Sequence, residues 1–242
     1  MVVRSQFSII VSDPYLFTLS LLEQAQSNGV IFKQGKVVSL ATQNGRVSEI
    51  QMLDGDTTLS LQCDNFVLAA GPWSGQLAQT VLSSSIPITP YAGHSIVLQP
   101  SIPTSADSLF AIIHSQHSSY RAEVIPRSSG EIYISGINND LDLPPTPLDA
   151  MPLESEIAKL KEVADMLLSD YVIKKEQLCF RAMTEDGNPF ICAYPKIEGV
   201  YIGTGHSHFG IILGPGTGKV LSELILGEEL SVDIAQFALK VL

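Results

Sequence analysis

The period of the apolar positions changes several times along the chain, and each change marks an element. Residues 7–11 (FSIIV) form a continuous apolar run short enough for a buried strand. Asp13-Pro14 then offers an N-cap residue followed by proline at the first helical position. Leu16, Leu19, Leu22 and Ala25 continue at helical spacing up to Asn28-Gly29, a C-cap pair, and Val30-Ile31-Phe32 is expected to open a strand. KVVSLATQ and RVSEIQML are joined by Asn44-Gly45, and Asp54-Gly55 leads on to TTLSLQC. Asn-Gly between β-rich runs signals a hairpin, because both central residues need positive φ, so a three-stranded antiparallel meander is predicted. NFVLAA (65–70) reads as a buried strand stopped by Gly71-Pro72, with a helix over 72–82.

Residues 86–135 are β-rich, with turn residues spaced as in antiparallel strands. A loop rich in Asp, Pro and Leu (139–152) precedes an amphipathic helix over 152–169 and a strand over 172–182. Residues 190–193 and 200–203 read as a strand pair, and a last helix runs over 209–227. Strands and helices in this mixed order argue for an α/β part and an antiparallel part, not a barrel or a bundle.

Composition narrows the function classes. Across 242 residues, 14 Lys+Arg stand against 25 Asp+Glu, a net charge of −11, which disfavours nucleic acid and anionic membranes as partners. Cys63, Cys179 and Cys192 are too few for a disulfide framework and suit a reducing compartment. The apolar run near the N-terminus is too short for a secretory segment, and no stretch approaches the ~20 apolar residues of a transmembrane helix.

The glycine cluster GTGHSHFGIILGPGTGK (203–219) invites three readings. A Walker loop fails, because Leu213 and Val220 stand where glycine and Ser/Thr are needed. A GxGxxG dinucleotide motif fails at His208 and occurs nowhere else in the chain. What fits is a strand (200–202), a turn (205–210) and a helix entered at Ile211, which aims backbone N–H groups and the positive helix end at an anion or electron-rich heteroatom. The alternative is that Gly210, Gly214, Gly216 and Gly218 serve close helix–sheet packing.

Few other side chains carry chemistry. His206-x-His208 and His114-x-x-His117 lack the further ligands of a metal site, so no metal is expected. Arg181 leaves an apolar strand (QLCFRAM) before Asp186-Gly187, placed either to offer its planar fork to a carboxylate or to pair with Glu185 or Asp186. Arg127 is expected to brace a hairpin turn, with Tyr91 and Tyr133 half-buried in strands. Ser74 and Cys63 have no recognisable base, and Gly-x-Ser-x-Gly is absent.

NFVLAAGPWSGQL, VIPRSSGEIYISG, FRAMTEDGNPFI and GVYIGTGHSHFGIILGPGTGKVLSELI together resemble FAD-dependent amine oxidoreductases of the D-amino-acid oxidase and glycine oxidase (DAO) family, from about residue 13 to 228. The resemblance implies a mixed α/β fold. Residues 1–82 and 180–242 would form an incomplete, Rossmann-like FAD-binding domain, intertwined with an antiparallel substrate-type domain over 83–179. It implies FAD as cofactor and a small amine or amino acid as substrate. Gly205, His206, Gly210, Ile211 and Ile212 would place main-chain donors at the flavin pyrimidine edge, Val38 would lie against the adenine, and Ala70, Gly71 and Trp73 would line the cofactor. Arg181 would pair with the substrate carboxylate, and hydride would pass from the substrate Cα–H to the flavin.

Two departures bear on the substrate. Ala182 stands where the family has proline, and the segment 90–94 (PYAGH) lacks its usual basic residue. A third bears on the cofactor: the family's opening strand, GxGxxG turn and helix are missing, so the chain is expected to be a C-terminal portion. It also resembles a fungal, cytosolic subgroup, some members of which are linked to endosomal trafficking, implying a cytoplasmic or endosome-associated location. The two readings are an FAD-dependent oxidoreductase and a flavin-free pseudo-enzyme or interaction module.

Overall fold

The computed structural model describes residues 13–114 and 119–239, so the strand expected at 7–11 lies outside the described residues. The elements, in order, are α1 (Pro14–Ser27), β1 (Lys36–Gln43), β2 (Arg46–Asp54), β3 (Thr57–Gln62), β4 (Phe66–Leu68), α2 (Ser74–Leu82), β5 (Thr89–Pro100), β6 (Leu109–His114), β7 (Ser119–Pro126), β8 (Ile132–Asn139), α3 (Glu154–Leu167), β9 (Tyr171–Met183), β10 (Phe190–Ala193), β11 (Val200–Thr204) and α4 (Gly210–Leu226). The mixed α/β fold expected from the sequence is the fold observed.

The described residues fall into two compact units, one of residues 13–17, 91–114 and 119–180 and the other of residues 18–90 and 181–239. The first is built on a five-stranded sheet in the order β6-β7-β8-β5-β9. Ile157, Leu160, Val163 and Ala164 recur at helical spacing on α3 and close over Ile96, Leu98, Val124 and Ile134 of the sheet. Arg127 braces the β7–β8 turn: its N–H donates to the Glu131 carbonyl at 2.8 Å, and its guanidinium stands 3.5 Å from Asp13 and 5.5 Å from the Tyr133 ring centre.

The second unit holds the meander β1-β2-β3 and a small sheet in the order β10-β11-β4. Asn44 (φ 53°) and Gly45 (φ 81°) make the predicted turn between β1 and β2. In the small sheet β4 runs parallel to β11, with Phe66, Val67 and Leu68 opposite Val200, Tyr201 and Ile202. Leu68, Val200 and Ile202 are fully buried, and α2 adds Ala78, Val81 and Leu82 to the same core. Residues 83–90 were grouped from the sequence with the antiparallel part. They fall in this second unit, where Ile86 is buried in the core and Ile88 packs against it.

Val30-Ile31-Phe32 is not a strand; these residues are irregular and exposed. The helix before them takes the backbone group a strand would need. Asp13 Oδ1 accepts from the Leu16 N–H at 3.0 Å to start α1, and α1 ends with Gly29 (φ 94°) and a bond from the Val30 N–H back to the Ala25 carbonyl at 3.1 Å. That six-to-one closure spends the Val30 donor on the cap. β4 is also shorter than the predicted 65–70, because Ala69 and Ala70 leave the ladder to make a turn.

A carboxylate fixes the last segment. Glu223 on α4 accepts from Lys219, from the Ser231 N–H at 2.9 Å and from the Ser231 hydroxyl at 3.0 Å. This holds Leu230, Ile234 and Phe237 against Ile191, Val220 and Leu221. The Lys219 hydrogen bond, with those from Ser231, pulls the Glu223 carboxyl below its ordinary value of 4.5. The stability it gives is therefore present above that ordinary value and is lost as pH falls through the lowered one. We predict that Glu223→Gln lowers the thermal midpoint at pH 7 and that the gap from the parent chain closes as the pH is taken down through and below 4.5. A gap constant with pH would refute an ionic role.

Candidate functional site

Parallel pairing places the ends of β4 and β11 at the same edge of the small sheet, so the turns that follow them emerge together. The first is Ala70-Gly71-Pro72-Trp73, bent by Gly71 at φ 55°. The second is Gly205-His206-Ser207-His208-Phe209, with Gly205 at φ 84° and Ser207 at φ 52°. A chain of buried hydroxyls ties them: Ser74 Oγ donates to Thr204 Oγ1 at 2.8 Å, and Thr204 Oγ1 donates to the Gly71 carbonyl at 3.1 Å. Ser74, which the sequence offered only as a nucleophile without a base, is thus a structural donor.

Helix α4 starts from the second turn. No side chain caps it, and its first turn holds no acidic residue. The N–H groups of an α-helix's first turn have no partner in its own i→i−4 ladder, and the positive end of the α4 dipole lies beside the turn. His206 is half-buried, with Nε2 2.8 Å from Thr217 Oγ1, and burial pushes its pKa below 6.5. The ring is neutral at pH 7, so the positive character of this site comes from backbone dipoles.

Thr184 closes the other side. It follows β9, is 9% exposed, and its methyl lies 2.6 Å from where a Cβ on Gly205 would stand. The Oγ1 of Thr184 and the Oγ of Ser207 are both buried and have no hydrogen-bond partner.

Of the residues singled out from the sequence, Ala70, Gly71 and Trp73 share the first turn, while Gly205 and His206 share the second, with Gly210, Ile211 and Ile212 just beyond it on α4. Arg181 is half-buried near the end of β9, three residues before Thr184. Val38 stands apart in the meander, at a bulge where β1 gains one residue over β2. The packing alternative for the glycines of α4 is overturned. A Cβ added at Gly214, Gly216 or Gly218 would meet nothing within 4 Å, and one at Gly210 would make only an ordinary contact with His206. Close helix–sheet packing depends instead on Gly203, where a Cβ would lie 2.8 Å from Leu221. His114 Nδ1 pairs with Ser119 Oγ at 2.8 Å, His117 lies outside the described residues, and no group of three metal-binding side chains occurs among the described residues.

The sequence reading missed Thr184, Ser207, Thr204 and Thr217 as parts of this site. Thr184 lies within the quoted FRAMTEDGNPFI stretch and Ser207 within the quoted turn, but both have polar neighbours in sequence (Glu185 and Asp186; His206 and His208), so neither stood out. The Ser74–Thr204 contact spans 130 positions and leaves no local trace.

Fold and geometry together define a mixed α/β protein in which two glycine-bent turns and an uncapped helix start emerge at one edge of a small sheet. The chain belongs to the DAO family, FAD dependent oxidoreductase, which it matches over residues 8–224. It is similar to a Schizosaccharomyces pombe protein named as an oxidoreductase, with 31% identity over 70% of this chain and 44% of that protein. It is also similar to glycine oxidase of Pseudomonas aeruginosa, with 28% identity over 91% of this chain and 54% of the enzyme. The solved glycine oxidase of Geobacillus kaustophilus shares the fold, with a TM-score of 0.75 and 20% identity over 92% of this chain and 56% of that one. The chain spans about half the length of the curated relatives it matches.

Gly205 is where the turn is least tolerant. We predict that Gly205→Ala costs about 2–3 kcal/mol of stability, because the methyl needs both a left-handed backbone and the space of the Thr184 methyl. Gly216→Ala should cost nothing by the same thermal unfolding measurement, or stabilise α4 slightly.

Proposed function

We propose that this chain forms the flavin-ring side and the substrate-carboxylate side of an FAD-dependent oxidoreductase acting on an amine or amino acid. The observation that carries the reading is the uncapped start of α4 beside the Gly205 turn. Its N–H groups fit the pyrimidine edge of a flavin, which alternates acceptor oxygens with an N–H and gains negative charge on reduction. When bound, FAD supplies the two-electron acceptor for the hydride leaving the substrate Cα.

The residues of the chain do the rest. The N–H groups of Gly210, Ile211 and Ile212 offer fixed dipoles where that negative charge develops, with no reorganisation needed at the moment of transfer. Thr217 holds the His206 ring in one orientation, and burial disfavours its charged form. Arg181 supplies a planar fork for a carboxylate. Ala182, buried where the resemblance expects proline, leaves the strand its N–H at this point. A glycine oxidase of Pseudomonas aeruginosa and a D-amino acid dehydrogenase of Allorhizobium ampelinum, 28% and 29% identical, are named for acting on amino acids, and this supports the same substrate class here. The flavin-free reading draws no support from relatives of this kind.

Titration of the chain with riboflavin and with FAD tests the proposal. Quenching of flavin fluorescence should saturate with Kd values of about 10–100 μM. Failure of both ligands to bind would refute it. For the substrate side, Arg181→Ala should raise KM for a carboxylated amine about 100-fold and leave an amine without a carboxylate unchanged. Equal effects on both substrates would remove Arg181 from the site.

A further inference from the structure

We propose that the hydroxyls of Thr184 and Ser207 are ligand-binding groups that hydrogen-bond the polar edge of the flavin ring; this rests on the flavin reading above. No residue named from the family resemblance contributes a hydroxyl at this place. That resemblance supplies main-chain donors, whereas these two are side chains.

The first ground is the contrast among neighbouring hydroxyls. Ser74 and Thr204 are paired with each other and with the Gly71 carbonyl, and Thr217 is paired with His206. The region therefore satisfies its hydroxyls wherever the protein is to be their partner. Only Thr184 and Ser207, on either side of Gly205 in the chain, are buried without one. The remaining buried unpartnered side-chain atoms among the described residues belong to His94, Arg127, Asn139 and Tyr194, none of which lies in either turn.

The second ground is the cost of keeping them. Valine has the shape of threonine and would fill the space beside Gly205 without burying a hydroxyl. The Thr184 methyl is seated against Gly205, and a β-branched side chain has few rotamers, so its hydroxyl is not free to swing toward a backbone carbonyl. Ser207 keeps a left-handed φ of 52°, a conformation that glycine would adopt without strain. Two residues whose simplest replacements would each stabilise the polypeptide, Ser207 within the turn and Thr184 packed against its Gly205, stand at the start of an uncapped 17-residue helix. A hydroxyl both donates and accepts, which matches an edge that alternates C=O and N–H.

The experiment compares the chain with Thr184→Val, Thr184→Ser and Ser207→Gly, measuring thermal unfolding without ligand and riboflavin affinity by fluorescence quenching. Thr184→Val and Ser207→Gly should unfold at the same or a higher temperature than the parent chain and bind riboflavin about 10-fold more weakly. Thr184→Ser should retain affinity within about 3-fold. Unchanged affinity in both Thr184→Val and Ser207→Gly overturns the inference and leaves the flavin reading standing. A lower unfolding temperature for Thr184→Val with unchanged affinity also overturns it, since the hydroxyl then serves an internal partner or a water. Absence of riboflavin binding by the parent chain overturns the flavin reading and this inference with it.

Discussion

The parallel contact between β4 and β11 is the constraint on which the site depends. Three residues of β4 pair with three of β11, although more than 130 positions separate them. Parallel neighbours end at the same edge of a sheet, and there backbone donors leave the ladder and become available to a ligand. An antiparallel contact at this place would have sent the two turns to opposite edges. The hydroxyl chain from Ser74 through Thr204 to the Gly71 carbonyl then fixes the separation of the turns inside a dry core, where such bonds count for more than at the surface.

Glycine is abundant around this site, yet its jobs divide sharply. Gly203 lets α4 lie close on β11, since any side chain there would strike Leu221. Gly71 and Gly205 supply the left-handed backbone that reverses the chain after each strand. Gly214, Gly216 and Gly218 answer neither need: they are helical, and a methyl would meet open space. A glycine-rich run therefore carries two different physical meanings within a dozen residues. Only the backbone angle and the nearest atoms tell them apart.

Much of the fold was legible because its determinants are local. Asn44-Gly45 fixed the meander, Asp13-Pro14 and Asn28-Gly29 bracketed α1, and the 3.6-residue spacing of Ile157, Leu160 and Ala164 marked the face of α3 that is buried. Val30-Ile31-Phe32 misled because apolar composition was read without asking where the backbone donors go; the α1 cap had already taken one. In the candidate site, the strand–turn–helix at 200–210 was legible for the same local reason. The pairing of β4 with β11, the Thr184 contact with Gly205 and the hydroxyl chain are set by tertiary neighbours, and no window of the sequence contains both partners.

Helix α4 shows how one element can be both anchored and open. Its second half contributes Thr217, Val220, Leu221 and Glu223 to the interior, and the Glu223 contacts hold the following segment against it. Its first half, from Gly210 to Gly216, is exposed, although Ile211, Ile212 and Leu213 are apolar. Pro215 sits between the halves and cannot donate to the Ile211 carbonyl, so the first turn is held less by its own ladder than the second half is. Burial of the second half fixes the direction of the axis, and hence of the dipole, before any ligand arrives. The ordering cost of presenting backbone donors is then met by folding, which is what a site working through preorganised dipoles requires.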